Sequence, residues 1–257
     1  MLIVLPPSEG KTVPTSGAPL DLDALGSPAL NPTRRQLLGA LQRVCRGRTD
    51  RAMERLGLGA TQADAVQRNA TLEEQPCARA DEVYTGVLYA AWDPTRRGDA
   101  ARQRAETSVA VCSALFGLVR PGDPIPAYRL SASVTLPRLG TMASRWRPVL
   151  GPELERRVGD GLLVDLRSGA YVALHKPTGD LAARTATVRV LSERDGRRTI
   201  VSHFNKATKG HLLRALLEDG AEPATPTALA EALCDLGWTV EQDGTRLDVV
   251  VTDVPHS

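Results

Sequence analysis

Prolines at 121, 124 and 126 constrain residues 112–133 more tightly than any other part of this 257-residue chain. Each proline locks φ at about −65° and removes an amide donor, and each biases the residue before it towards extended backbone, so the segment cannot be helical. An apolar run from Cys112 ends at Gly117, and Arg120, Tyr128, Arg129 and Ser131 then follow on this stiff backbone. Donors held at fixed spacing suit a phosphate, a carboxylate or a nucleic-acid backbone. A proline-rich connector with solvated arginines has the same composition, and the segment alone supports both readings.

Composition narrows the class. With 42% hydrophobic and 24% charged residues, the chain is that of an ordinary globular protein able to bury a substantial core. The net charge of +2 means that any nucleic-acid surface must come from local clustering. Cys45, Cys77, Cys112 and Cys234 form no Cys-x-x-Cys pair, which argues against structural zinc and a disulfide framework. Cys112 and Cys234 lie in apolar contexts and read as buried thiols. The N-terminus has no basic region, and its apolar run is too short for a signal peptide or membrane span, so a cytoplasmic protein with no membrane partner is expected.

Pattern along the chain suggests a mixed α/β architecture in one domain over residues 1–257. Leu2 to Leu5 reads as a buried strand ended by Pro6-Pro7. Thr33 to Val44 has helical spacing, with Asn31 or Thr33 as its cap, and Asp50–Leu56 and Thr61–Arg68 read as two further helices. Ala100 to Ala114 reads as a buried helix, Leu162 to Leu166 as a central strand, and Tyr171 to Leu174 as a short strand or turn. Thr187–Leu191 and Thr199–Phe204 are expected to form a hairpin around Arg194-Asp195-Gly196. Helices follow at His211–Leu217 and at Thr227–Leu236, the latter with Thr225 as cap and Pro226 first. A terminal hairpin turns at Asp243-Gly244.

Four clusters carry candidate chemistry. Ser8, Glu9 and Lys11 leave the carboxyl end of the first strand, the edge where open α/β sheets bind ligands. Gly10-Lys11-Thr12 invites a P-loop reading that fails, because Leu5 stands where the motif needs glycine. Leu56-Gly57-Leu58-Gly59-Ala60-Thr61 fits a helix-hairpin-helix over residues 48–70, with Arg48, Arg51, Arg55 and Arg68 nearby to meet DNA phosphates; an ordinary glycine-capped helical turn fits equally. Ser202 to His211 enters a helix with Lys206 and Lys209 in its first turns, where cations oppose the macrodipole, which hints at an anionic partner beside the plainer reading of a solvated basic turn. Arg167 and Ser168 follow the Leu162–Leu166 strand as a fourth cluster. His175, His203 and His211 lack metal-ligand spacing, and no Ser/His/Asp order is recognisable; His203, alternating with Phe204, is the histidine worth testing.

Taken together, these motifs resemble the YaaA family of bacterial peroxide-stress proteins. The likeness is carried by Leu2 to Thr12, Val83-Tyr84-Thr85-Gly86, Leu115 to Pro121, Pro126 to Leu130, Leu166-Arg167-Ser168 with Tyr171, and Ser202 to Gly210. The resemblance implies a compact single-domain α/β fold with a central mixed sheet, flanking helices, a basic cleft and a helix-hairpin-helix-like element. It also implies DNA binding and a part in limiting iron and oxidative DNA damage under peroxide. Carried over by position, Lys11, Tyr84, Thr85, Arg120, Tyr128, Arg129, Ser168 and Lys206 would line the cleft. The chain departs from the family pattern at Lys206-Ala207-Thr208-Lys209-Gly210, which lacks an arginine, and at Ser131-Ala132-Ser133, which lacks a carboxylate.

The leading expectation is a stress protein that binds duplex DNA without base readout, through Arg51, Arg55, Gly57, Gly59, Thr61 and Arg68. The alternative is an enzyme acting on a nucleotide, nucleobase or similar anionic molecule. Lys11, Tyr84, Arg129 and Lys206 would then be the catalytic candidates, with Ser8, Glu9, Thr85, Arg120, Tyr128, Ser131, Arg167, Ser168, Ser202 and Lys209 holding the anion. Neither reading calls for a cofactor or a metal site, and the scattered carboxylates argue against iron storage by the protein itself.

Overall fold

The computed structural model describes residues 1–194, 197–199 and 202–252, without the side chains of Arg194, Ser202 and His203. Strand β1 (Leu2–Leu5) is the continuous apolar run at the N-terminus, and none of its residues is more than 1% exposed. A strand covered on both faces needs no polar alternation, which is why it reads as an unbroken run. Its neighbours are β3 (Val109–Ser113) on one side and β8 (Leu163–Asp165) on the other, both parallel, in registers Ile3 to Val109 and Leu2 to Leu163. Beyond β8 lie β9 (Thr185–Arg194) and β12 (Arg246–Val251), also parallel. Antiparallel β11 (Thr239–Asp243) and β4 (Gly117–Val119) close the two edges, and β10 (Arg197–Thr199) folds back on β9. The result is a mixed eight-stranded sheet of order β11-β12-β9-β8-β1-β3-β4, with β10 attached to β9.

This order positions the site. The chain leaves β1 for β3 on one side and later returns to β8 on the other, so the winding reverses at β1. Ligands of open α/β sheets bind outside the carboxyl ends of strands at such a reversal. Here those ends open into Pro6–Lys11 after β1 and Leu166–Ser168 after β8.

Helices surround the sheet. Helix α1 (Asn31–Cys45) buries Leu37, Leu38 and Leu41 and packs against α2 (Thr49–Leu56) and α3 (Ala63–Ala70). A two-residue strand β2 (Ala78–Arg79) pairs with β5 (Pro124–Ile125), so the proline-rich segment is extended as its composition requires. Short helices α4 (Ala80–Val83) and α5 (Val87–Trp92) lead into α6 (Asp99–Ser108). After the small hairpin of β6 (Thr135–Leu136) and β7 (Gly140–Thr141), α7 (Met142–Val158) seals the β4 end, and its buried Trp146 donates from Nε1 to the carbonyl of Ala114 at 2.8 Å. Single turns α8 (Gly169–Val172) and α9 (Gly179–Ala183) follow β8. Helix α10 (Ser202–Asp219) packs on α5, α6 and β9, and α11 (Pro226–Asp235) covers β11 and β12. Thr225 caps α11 through its hydroxyl, with Pro226 in the first turn, as the sequence suggests.

Several expectations are corrected. The helix read over Ala100–Ala114 stops at Ser108, and Val109-Ala110-Val111-Cys112-Ser113 becomes β3, since a short apolar run rich in β-branched residues suits a buried strand as well as a helix. The second hairpin strand is described over Arg197–Thr199, not from Thr199 to Phe204, and the chain is helical from Ser202, so His203 lies on a helix and not on a strand; the turn at Asp195-Gly196 and the side chain of His203 are outside the described residues. Neither Asn31 nor Thr33 caps α1: Asn31 is its first residue, and the Asn31 amide bonds Asp23 and Arg34. Of the two readings for Tyr171–Leu174, the turn and not the strand is found, as the end of a one-turn helix. Cys112 is buried, but Cys234 is exposed on the outer side of α11, whose Leu229 and Leu233 face inward.

Candidate functional site

Two adjoining cavities lie at the reversal point, and Glu9 lines both. The inner cleft, of about 370 Å³, takes Pro6, Ser8 and Glu9 from the β1 exit, Thr85 and Gly86 from the turn before α5, Ser168 from the β8 exit, and Asn205, Lys206 and Lys209 from α10. The outer groove, of about 910 Å³, is lined by Arg51, Glu54, Arg55 and Gly57 of α2 and its turn, together with Glu9, Arg129, Ser131 and Ser133. Residues far apart in sequence thus meet where the strand ends converge.

The wall between the cavities is tightly bonded. Thr85 donates its amide to Ser8 Oγ at 2.9 Å, and that hydroxyl donates to the Gly10 carbonyl at 2.5 Å. Lys11 bridges Tyr84 in antiparallel fashion, with the Thr12 amide on the Val83 carbonyl at 2.9 Å. Arg129 grips Glu9 twice from one guanidinium nitrogen, on its carbonyl and on its carboxylate, each at 2.8 Å. The Arg129 backbone is itself clamped by buried Asn69 of α3, whose amide nitrogen donates to the Arg129 carbonyl at 2.8 Å and whose oxygen accepts the Arg129 amide at 2.9 Å. Helix α3 therefore sets the position of an arginine on the groove wall.

Beneath this wall sits a layer of aromatics. The Lys11 ammonium donates to the Ser8 carbonyl at 2.8 Å and lies over the Tyr128 ring at 4.2 Å and the Tyr84 ring at 5.4 Å. Loss of solvation lowers its pKa to about 7; the Glu9 carboxylate opposes that shift and Arg129 adds to it. Ser113 Oγ accepts the amides of Leu115 and Phe116 at 3.1 and 3.0 Å, so its proton points to Tyr128 Oη at 2.7 Å, and Tyr128 in turn donates to Tyr84 Oη at 2.9 Å. Burial pushes both phenols well above their ordinary pKa and holds them protonated. Lys11, Tyr84 and Tyr128 support the cleft from below and are not on its wall.

The remaining candidates divide. Arg167 has a wholly buried side chain and pairs with Asp165 through two nitrogens, at 2.9 and 2.7 Å; burial opposes its charge, but Asp165 and Cys112 together more than offset this and its pKa is raised. Lys209 lies on the cleft wall, 8% exposed, with its ammonium on the Leu166 carbonyl at 3.2 Å; desolvation lowers its pKa to about 8 against the field of Asp165. Arg120 is remote from both cavities, its side chain lying across Gly26 and close enough to Arg157 to lower the pKa of that residue. The side chain of Ser202 is outside the described residues.

Helices α2 and α3 are joined through Gly57 to Gln62. Gly57 has φ +64°, and its amide and that of Leu58 return to Glu54 and Met53 at 3.1 and 2.9 Å, a left-handed stop that favours glycine. Gly59 gives its amide to Gln62 Oε1 at 3.0 Å, and Arg68 pairs with Asp64, so neither faces the groove as an open donor; Thr61 is exposed beside them.

Asn69 and Ser113 are structural members of the site that sequence patterning did not single out, since each is one polar residue on an otherwise inward face. A compositional signal did exist for the lysines. Only Lys11, Lys176, Lys206 and Lys209 occur among 32 basic residues, and three of the four meet here. Among the described residues no group of three His, Cys, Asp or Glu side chains could hold a metal ion, and no helix is long and apolar enough to cross a membrane.

Comparison with known proteins agrees with the motif resemblance. Residues 1–243 match the family model described as "Peroxide stress protein YaaA". A UPF0246 protein of Streptomyces coelicolor is 47% identical over 99% of this chain and 100% of its own length. One from Corynebacterium efficiens is 40% identical over 94% and 95%, and one from Shewanella halifaxensis 25% over 85% and 86%. The chain belongs to the YaaA peroxide-stress family.

Proposed function

We propose that this protein binds duplex DNA through its phosphates along the outer groove, without reading bases, and thereby limits iron-driven oxidative damage to DNA under peroxide. One observation carries the reading. Arg51 and Arg55 line the groove with Arg129, and among the described residues neither has an ion-pair partner, whereas Arg48 and Arg68 on the same two-helix unit are paired with Asp50 and Asp64. Unpaired arginines on a concave wall suit a polyanion, and contacts to phosphate give affinity without sequence information. The stress context comes from the family description. The test is fluorescence anisotropy with two unrelated duplexes at low and moderate salt. Equal affinities that fall steeply with salt are expected, and absence of binding at low salt contradicts the reading.

The inner cleft favours a second reading, an enzyme acting on an anionic nucleotide-like molecule. It is the smaller of the two cavities, it carries hydroxyls from Ser8, Thr85 and Ser168, and two of the four lysines stand on its wall. Ligand-induced thermal stabilisation that survives added salt and is lost in Lys206→Ala is the expected result.

A further inference from the structure

Lys209 differs from an ordinary buried lysine. Among the described residues its ammonium has one hydrogen-bond acceptor, the Leu166 carbonyl at 3.2 Å, and no carboxylate within ion-pair distance. Asp165, the carboxylate whose field reaches it, has both oxygens committed to Arg167. A buried charge without a paired counterion is costly, so the neutral amine is reached far more readily here than in a solvated lysine. That amine stands on the wall of a cavity, which separates it from Lys11, whose nitrogen is spent on the Ser8 carbonyl and the Tyr128 face. Its helix neighbour Lys206, three residues earlier on the same cleft wall, is exposed and available to hold an anionic group. Residues three apart on a helix place their Cβ atoms about 5–6 Å from one another. A chain that uses arginine at nearly every basic position keeps lysine at both of these, and arginine cannot lose its proton to become a nucleophile.

We propose that Lys209 is a nucleophilic amine that forms an imine with small phosphorylated aldehydes or ketones, Lys206 holding the phosphate. This rests on the second reading above, that the inner cleft takes an anionic small molecule. The neutral Nζ adds to the carbonyl carbon, and the carbonyl π pair moves to oxygen, which takes up a proton as nitrogen releases one. The resulting carbinolamine is protonated on its hydroxyl and expels water, leaving a protonated carbon–nitrogen double bond. Amine and carbonyl are consumed, imine and water are formed, and no oxidant or reductant takes part.

The test is reductive trapping of the full-length protein with glycolaldehyde phosphate and cyanoborohydride, read by intact mass and peptide mapping. With only four lysines and the N-terminal amine to distinguish, the modified position is unambiguous. The expected result is one adduct on Lys209, lost in Lys209→Arg and Lys209→Met. Trapping should be about tenfold slower with unphosphorylated glycolaldehyde or in Lys206→Ala, the fold-change of one charge-assisted contact. An adduct confined to the N-terminus, Lys176 or Lys206, or no adduct on the folded protein, overturns the proposal. If either Lys209 variant fails to fold, the mapping on unaltered protein still decides. Ethyl phosphate, which has no carbonyl, separates the two failures. Stabilisation by ethyl phosphate without an adduct sinks imine formation alone, and the absence of both sinks the cleft reading as well.

Discussion

Replacing Lys11 with methionine should flatten the dependence of stability on pH. In the folded chain this amine titrates at about 7, against an ordinary value of 10.5 that the unfolded chain keeps. Below that window both states hold the proton and the residue adds no slope. Within it the unfolded state binds a proton that the native state lacks, so stability rises with pH, by about 1.4 kcal/mol per unit at full effect. Lys209, lowered to about 8, contributes in the same direction over the upper part of the range. From about pH 9 the slope is opposed: burial raises the pKa of the Cys45, Cys77 and Cys112 thiols and, above about pH 10, of Tyr84, Tyr89, Tyr128 and Tyr171, so they stay protonated in the fold while the unfolded chain loses those protons. Stability should therefore climb from neutral pH, peak, and fall. Urea unfolding at several pH values, analysed at constant m, measures the slope. Lys11→Met should lose most of it between pH 7 and 8, before the buried thiols begin to oppose it. An unchanged slope would mean that the Lys11 amine remains charged over the tyrosine rings, and the reasoning from desolvation would be wrong.

Two further substitutions separate positioning from charge. Asn69→Ala removes both hydrogen bonds to the Arg129 backbone and should cost about 2–3 kcal/mol in urea unfolding, with weaker duplex binding although Asn69 itself lines neither cavity. Asp165→Asn leaves the Arg167 charge buried without its counterion and should cost about 3–5 kcal/mol; a loss below 1 kcal/mol by the same assay would show that solvent reaches the pair.

Elements with an unambiguous local pattern were legible. β1 is one unbroken apolar run, and α11 carries its own cap and first-turn proline. β3 was not, because a five-residue apolar stretch directly after a helix carries no period to separate strand from helix, and the choice was made by pairing with β1 more than a hundred residues away. The second hairpin strand is read from the sequence too far along the chain, at Thr199–Phe204 in place of Arg197–Thr199, because the exposed residues of β10 carry no buried face from which to read a strand. At the site, Ser8, Glu9, Ser168, Lys206 and Lys209 could be named because each follows a strand end or lies in the first turns of a helix, and Thr85 through the family motif. Their grouping into two cavities could not, since it depends on where the winding reverses and on α10 lying against α5. Arg120 and Arg129 show the limit most clearly. They share one rigid segment, yet one lies across Gly26 and the other grips Glu9, because a stiff backbone fixes spacing and leaves direction to the packing around it.

The central claim is that the outer groove neutralises DNA phosphates with Arg51 and Arg55. Duplex affinity measured by anisotropy across a salt series tests it most directly, comparing the unaltered chain with the Arg51→Ala/Arg55→Ala double variant. Each lost phosphate contact should flatten the slope of log K against log salt by about 0.9, so a change of about 1.8 is predicted, with the same change on any duplex sequence. Parallel slopes for the two proteins, or undetectable binding by the unaltered chain at low salt, would contradict it.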